Sequence, residues 1–164
     1  MRRHFLIGLS AAASATAFLL SSFDKSDPVG RLVERLKGEE GFKSKPYRDN
    51  RGILTIGYGT AIGLGITPRE AEILLRYRLV EKEKELASAW PPYGEQPGPI
   101  QSALLDMSYQ LGVQGVLEFH DMLAALARKD YETAARAVEQ SAWNRETPKR
   151  VERVAAVFRS RLEH

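Results

Sequence analysis

EEGFKSKPYRDNRGILTIGYGT, residues 39–60, is the stretch from which the fold follows. Ahead of it, Asp27-Pro28 supplies an N-cap and a first-turn proline, and apolar residues then recur at helical spacing. Those apolar residues are Val29, Leu32, Val33 and Leu36. The predicted helix ends by Gly41, which places Glu40 near its C-terminal end. Within the stretch, an Asp49-Asn50-Arg51-Gly52 turn separates two short segments of strand character.

Glu40, Asp49 and Thr55 form a set that suits glycoside hydrolysis. In that reaction one carboxyl protonates the leaving oxygen, and a second group activates water or stabilises the positively charged sugar. Glu40, beside Phe42, is expected to be shielded by packing, which favours its protonated form, whereas Asp49 in a polar turn is expected to stay ionised. The neutral hydroxyl of Thr55 would hold the attacking water. Taken singly, the three residues also fit ordinary roles as a helix-end charge, a turn former and a strand residue.

The motif around these residues resembles the phage-type lysozymes (endolysins) of glycoside hydrolase family 24, whose catalytic triad has the spacing E-x8-D-x5-T. The matching positions are Glu40-Gly41, Tyr47, Asp49, Gly52, Thr55, Gly57 and Gly59. The resemblance implies an α+β, mainly α, two-lobed lysozyme-like fold, with a small β-sheet lobe and a helical C-terminal lobe joined by a long helix. It also implies an endolysin muramidase that cuts the β-1,4 bond between N-acetylmuramic acid and N-acetylglucosamine in peptidoglycan, causing host cell lysis. Glu40 would be the general acid, with Asp49 and Thr55 positioning or activating water.

Length and composition fit one catalytic domain over residues 27–164, since the chain has 164 residues and 43% hydrophobic content. The formal charge is +3; removing residues 1–26 takes away three Lys or Arg and one Asp, which leaves +1. This excess is too small to indicate nucleic-acid binding. The chain has no cysteine for a disulfide, and its three histidines, His4, His120 and His164, lack zinc-site spacing. We expect a monomer with no metal and no cofactor.

Residues 1–26 are predicted to be a targeting or anchoring segment. Arg2-Arg3 is followed by an uncharged run from Phe5 to Phe23, which as a helix would be about 28 Å long, close to the hydrocarbon thickness of a bilayer. The run resembles the signal-arrest-release segments of endolysins, which insert, tether an inactive enzyme and later leave the membrane. The protein is therefore expected to cross the host inner membrane, first tethered and then periplasmic. A cleaved signal peptide is the alternative, because Ala15-Thr16-Ala17 has the form of a cleavage site.

The rest of the chain is predicted to be helical. Thr67-Pro68-Arg69-Glu70 is a capping box, which predicts a helix from Pro68 to about Ala89. A loop over residues 90–98 follows. Further helices are predicted over residues 99–111, 115–128, 130–141 and 148–162, with Asp130 and Thr147 as N-caps of the last two.

Two C-terminal segments, ALLDMSYQLGVQGVLEF and SAWNRETPKRVERVAAVFR, resemble the corresponding helices of phage lysozymes. The resemblance implies that Tyr109 and Gln110 line the cleft opposite the acid and contact sugar or peptide. It implies that Arg150 pairs with Glu40 across that cleft. Tyr109 also fits a buried core aromatic, and Trp143 is expected to be a buried anchor.

Two other functions fit the same residues. A lytic transglycosylase would cut the same bond but use the sugar's own 6-hydroxyl in place of water, leaving an anhydro product. A non-catalytic cell-wall-binding protein would keep the fold without the chemistry. Asp49 and Thr55 favour hydrolysis, because together they form a site for water.

Overall fold

The computed structural model of the protein describes residues 28–160. The predicted N-terminal segment and the N-cap Asp27 lie outside the described residues. The described residues divide into two compact units, the first ending at Thr67 and the second beginning at Pro68. The fold is mainly helical with a small antiparallel sheet, as predicted. Within residues 28–160, no helix has the length and apolar character that crossing a membrane requires.

The first unit carries one helix and a two-stranded sheet in its described part. Helix α1 spans Pro28–Glu40, strand β1 spans Lys43–Arg48 and strand β2 spans Leu54–Gly57. The strands are antiparallel, with Tyr47 opposite Thr55 and an irregularity between Lys43 and Tyr47, where Pro46 lacks a backbone donor. The predicted helix end at Glu40 and the predicted turn at residues 49–52 are both confirmed, so local signals place Glu40, Asp49 and Thr55.

The second unit is helical and holds the large core. Its helices are α2 (Pro68–Ala89), α3 (Gly98–Leu117), α4 (His120–Ala127), α5 (Tyr131–Glu139), α6 (Ala142–Glu146) and α7 (Pro148–Arg159). Side chains such as Leu104, Met122 and Phe158 are fully buried. Helix α5 packs against both α4 and α7. Arg159 strengthens the second of these contacts, since its guanidinium lies 2.9 Å from Glu132 and 2.6 Å from Glu139.

Several predicted helix boundaries in this unit are wrong. The helix predicted over residues 115–128 is divided, because α3 runs on to Leu117 and α4 begins at His120. Gly112 does interrupt α3, with φ 76° and ψ 163°. Helix α6 was not predicted, and α7 ends at Arg159 rather than at residue 162.

The two predicted N-caps of the second unit behave differently. Asp130 caps α5 as predicted, because its carboxylate accepts a hydrogen bond from the Thr133 N–H at 3.1 Å. Thr147 occupies the N-cap position of α7, but its side chain does not cap the helix. Its hydroxyl instead donates to the Trp143 carbonyl at 3.3 Å, which ties the start of α7 to α6.

Candidate active site

Glu40 is the last residue of α1, and its carboxyl lies against the backbone of Gly59. A Cβ placed on Gly59 would be 3.2 Å from Oε2 and 3.3 Å from Cδ of Glu40. Glu40 is exposed, and Phe42 is 63% exposed. The predicted shielding of Glu40 by Phe42 is therefore wrong, because the aromatic ring contacts a different residue.

That residue is Tyr58, which lies in the tight turn after β2. Its ring centroid is 5.3 Å from that of Phe42, and the ammonium of Lys37 lies 5.9 Å from the Tyr58 centroid. Ile56 and Thr60 close the turn with two backbone hydrogen bonds of 2.9 Å. Through these contacts, the turn that contains Gly59 is attached to the C-terminal end of α1.

Asp49 is held as an acceptor at the start of the turn between the strands. Its Oδ1 accepts hydrogen bonds from the backbone N–H groups of Ile53 at 2.8 Å and Arg51 at 2.9 Å. These donors, led by Ile53, and the nearby Arg51 guanidinium hold the pKa of the Asp49 carboxyl below its usual value. The prediction that Asp49 stays ionised is confirmed.

This hydrogen bonding makes the stability of the protein depend on Asp49 at neutral pH. Because the pKa of Asp49 is lowered in the folded state, its ionised carboxylate stabilises the fold. This stabilisation is fully present above the unfolded-state pKa of about 3.9, and it is lost as the pH falls through the folded-state pKa. Asp49→Asn is therefore expected to be less stable than wild type at pH 7, and the difference should shrink as the pH is lowered through the folded-state pKa of Asp49.

Urea unfolding at pH 7 and at a series of lower pH values measures the difference between Asp49→Asn and wild type. Asp121→Asn, which changes an exposed acid of α4, controls for net charge. A destabilisation of Asp49→Asn that is equally large at low pH would contradict the electrostatic explanation.

Thr55 is only 3% exposed, and its hydroxyl donates to the Ile53 carbonyl at 3.1 Å. Ile53 thus links the two predicted water-handling side chains: its N–H serves Asp49 and its carbonyl serves Thr55. With its proton directed at a carbonyl, the Thr55 hydroxyl keeps its lone pairs for a donor such as water. No pattern in the sequence predicts this role of Ile53.

Two of the predicted binding residues, Gln110 and Arg150, form a polar cluster in the second unit. Gln110 Oε1 accepts hydrogen bonds from Arg150 Nη1 at 2.8 Å and from Trp143 Nε1 at 3.3 Å. Asp106 Oδ2 lies 3.7 Å from Arg150 Nε. Asp106 was missed from the sequence, although it stands one helical turn before Gln110. Trp143 is 3% exposed, so its prediction as a buried anchor is confirmed.

Tyr109 is 49% exposed, which excludes the buried core aromatic and leaves its side chain open to solvent. Beside the cluster, a pocket of about 560 Å³ is lined by Gln110, Thr147, Pro148, Lys149, Arg150 and Arg153. The pairing of Arg150 with Glu40 would join the two units and stays a prediction.

Within residues 28–160, no three His, Asp or Glu side chains are grouped to hold a metal ion.

The helical fold with its small sheet, in a chain whose first unit carries a helix-end acid, a hydrogen-bonded carboxylate and a buried hydroxyl, is that of a lysozyme-like protein. A sequence model of the phage lysozyme family matches residues 37–163. The chain belongs to this family, which supports a glycosidase of the lysozyme type.

Named relatives include proteins of very different length. The chain is 29% identical over 161 residues to probable T4-type lysozyme 1 of Dictyostelium discoideum, covering 79% of this chain and 94% of that protein. Probable T4-type lysozyme 2 of the same organism is 28% identical over 160 residues, with the same coverage. The pre-baseplate central spike protein Gp5 of Enterobacteria phage T4 is 28% identical over 166 residues, covering 80% of this chain but only 28% of the spike protein.

Proposed function

We propose that the protein is a muramidase that hydrolyses the β-1,4 bond between N-acetylmuramic acid and N-acetylglucosamine in peptidoglycan. The observation that carries this proposal is that one unit contains both an acid at a helix end and a carboxylate that its hydrogen bonds keep ionised. Asp49 is kept ionised by backbone donors, and the Thr55 hydroxyl is linked to it through Ile53. Membership of the phage lysozyme family and the T4-type lysozyme relatives support the same substrate.

The proposed reaction assigns each side chain one step. Glu40 donates its proton to the glycosidic oxygen as the bond to the anomeric carbon breaks. Water, held by Thr55, attacks that carbon and passes its proton to Asp49, whose charge also stabilises the positively charged sugar. The products are a reducing sugar end and a free hydroxyl on the leaving sugar. Tyr109 and Gln110 would contact sugar or peptide, with Arg150 holding the Gln110 amide in place.

Mass spectrometry of the muropeptides released from purified peptidoglycan by the full chain tests this proposal. Reducing N-acetylmuramic acid ends, absent from the products of Glu40→Gln, are expected for a hydrolytic muramidase. Anhydro ends would instead establish a lytic transglycosylase, in which no water attacks the sugar, and the proposed roles of Asp49 and Thr55 would be wrong. Release of no fragment at all would favour a cell-wall-binding protein without catalytic activity.

We further propose that the enzyme is an endolysin that reaches its substrate through the N-terminal segment. As a helix, the run from Phe5 to Phe23 would be about as long as the hydrocarbon core of a bilayer is thick, yet its serines, threonine, glycine and alanines make it only moderately apolar. Such a segment would tether the enzyme to the host inner membrane and later release it into the periplasm for cell lysis. N-terminal sequencing of the protein from expressing cells tests this, since a mature chain beginning at Phe18 would mean cleavage after Ala17.

A further inference from the structure

Gly59 differs from the other glycines of the described chain that adopt positive φ. The six described glycines with positive φ are Gly41, Gly52, Gly57, Gly59, Gly65 and Gly112. Among them, only Gly59 has a neighbour within 4 Å of the place a Cβ would occupy, and that neighbour is the side chain of Glu40. The contact is with the carboxyl itself, at 3.2 Å to Oε2 and 3.3 Å to Cδ. The carboxyl of Glu40 therefore packs where a side chain at residue 59 would begin.

The backbone beneath the carboxyl is fixed by its own contacts. Ile56 and Thr60 bond to each other on either side of the turn, and Tyr58 packs against Phe42 and Lys37 at the end of α1. Within residues 28–160, by contrast, the Glu40 carboxyl has no hydrogen-bond or ion-pair partner. Packing against Gly59 is thus the contact that defines where this carboxyl lies.

We propose that Gly59 is a positioning residue for Glu40, which rests on the proposed function for the role of the acid itself. A Cβ at 3.2 Å is closer than an ordinary van der Waals contact, so one of the two groups has to move by a few tenths of an ångström. The exposed end of a flexible side chain yields more readily than a hydrogen-bonded turn. A side chain at residue 59 would therefore displace the acid and leave the turn in place.

Gly59→Ala tests the proposal against the matched control Gly57→Ala. Both glycines have positive φ, 80° and 68°, so alanine strains the backbone at either position. A Cβ on Gly57 meets nothing within 4 Å, so only the residue 59 variant disturbs Glu40. On purified peptidoglycan, Gly59→Ala is expected to lower kcat about tenfold relative to Gly57→Ala, with KM unchanged, because a misplaced acid weakens the transition state alone. Circular dichroism gives the folded fraction by which each rate is corrected.

A spectroscopic measurement reports on the carboxyl without relying on activity. In the full chain labelled with carboxyl-13C glutamate, the Glu40 signal is the one missing from Glu40→Gln. It is expected to move in Gly59→Ala and to stay in place in Gly57→Ala. An unmoved signal together with equal kcat values for the two variants would overturn the proposal. If the wild-type protein cleaves no peptidoglycan, the proposed muramidase function is refuted. The Glu40 carboxyl signal would still show whether Gly59 positions that carboxyl.

Asparagine replaces alanine if Gly59→Ala does not fold. Asparagine adopts left-handed backbone conformations more readily than alanine, yet it also carries a Cβ. Gly59→Asn and its control Gly57→Asn are then compared by the same two measurements, with the same outcomes for and against.

Discussion

Glu40→Gln is expected to lower the rate of peptidoglycan hydrolysis by at least about 100-fold while the protein stays folded, since positioned general acids contribute on the order of 10² to 10⁴. The amide has the shape of the acid and fits the same surface of Gly59, but it has no acidic proton to give to the leaving oxygen. Glu40 is exposed, so the substitution removes no buried contact. Release of reducing ends per minute, with circular dichroism for folding, measures the effect.

Glu39→Gln is the matched control for Glu40→Gln. Glu39 is the preceding residue of α1, and its carboxylate lies 3.6 Å from the Arg35 guanidinium, with both side chains more than half exposed. Such a surface pair contributes little to stability. Glu39→Gln is expected to keep the wild-type rate. A wild-type rate in Glu40→Gln would show that the general acid is another residue, and equal losses in both variants would indicate a general effect of charge.

The elements that carry the candidate site follow from local sequence signals. A proline in the first turn and a glycine after the last residue mark the two ends of α1, so Glu40 is placed at a helix end. The Asp49 to Gly52 turn needs only residues that favour turns, and Gly52 adopts the positive φ that such a turn uses. These properties depend on neighbours in sequence, and they were predicted correctly.

Features that depend on distant residues were not predictable in this way. The break between α3 and α4 falls at Phe119, whose ring packs edge-on against Trp143 at 6.1 Å, a contact with no local signal. Helix α6 is five residues long, too short for a periodic pattern. The exposure of Glu40 was predicted wrongly for the same reason, because Phe42 packs on Tyr58 and leaves the acid open.

Asp49→Asn is expected to lower the rate of hydrolysis by about 100-fold with the turn intact. The asparagine amide oxygen can still accept the hydrogen bonds of Arg51 N–H and Ile53 N–H, so the substitution removes the charge and little of the geometry. The lost charge matters because a neutral amide neither takes the proton of the attacking water nor stabilises the positively charged sugar. Reducing-end release at pH 7, measured beside urea unfolding, separates lost activity from lost stability.

Arg51→Gln tests whether the neighbouring positive charge matters for the reaction while the Asp49 carboxylate is retained. The Arg51 guanidinium lies 3.7 Å from Asp49 Oδ2 and is 73% exposed, so its removal should change the rate only slightly.

Thr55→Val removes the hydroxyl at nearly constant shape, and it should reduce the rate without altering the charge of the site. If Asp49→Asn keeps the wild-type rate while Thr55→Val loses it, the hydroxyl alone positions the water. Asp49 would then serve only to fold the turn that brings Ile53, and with it Thr55, into place.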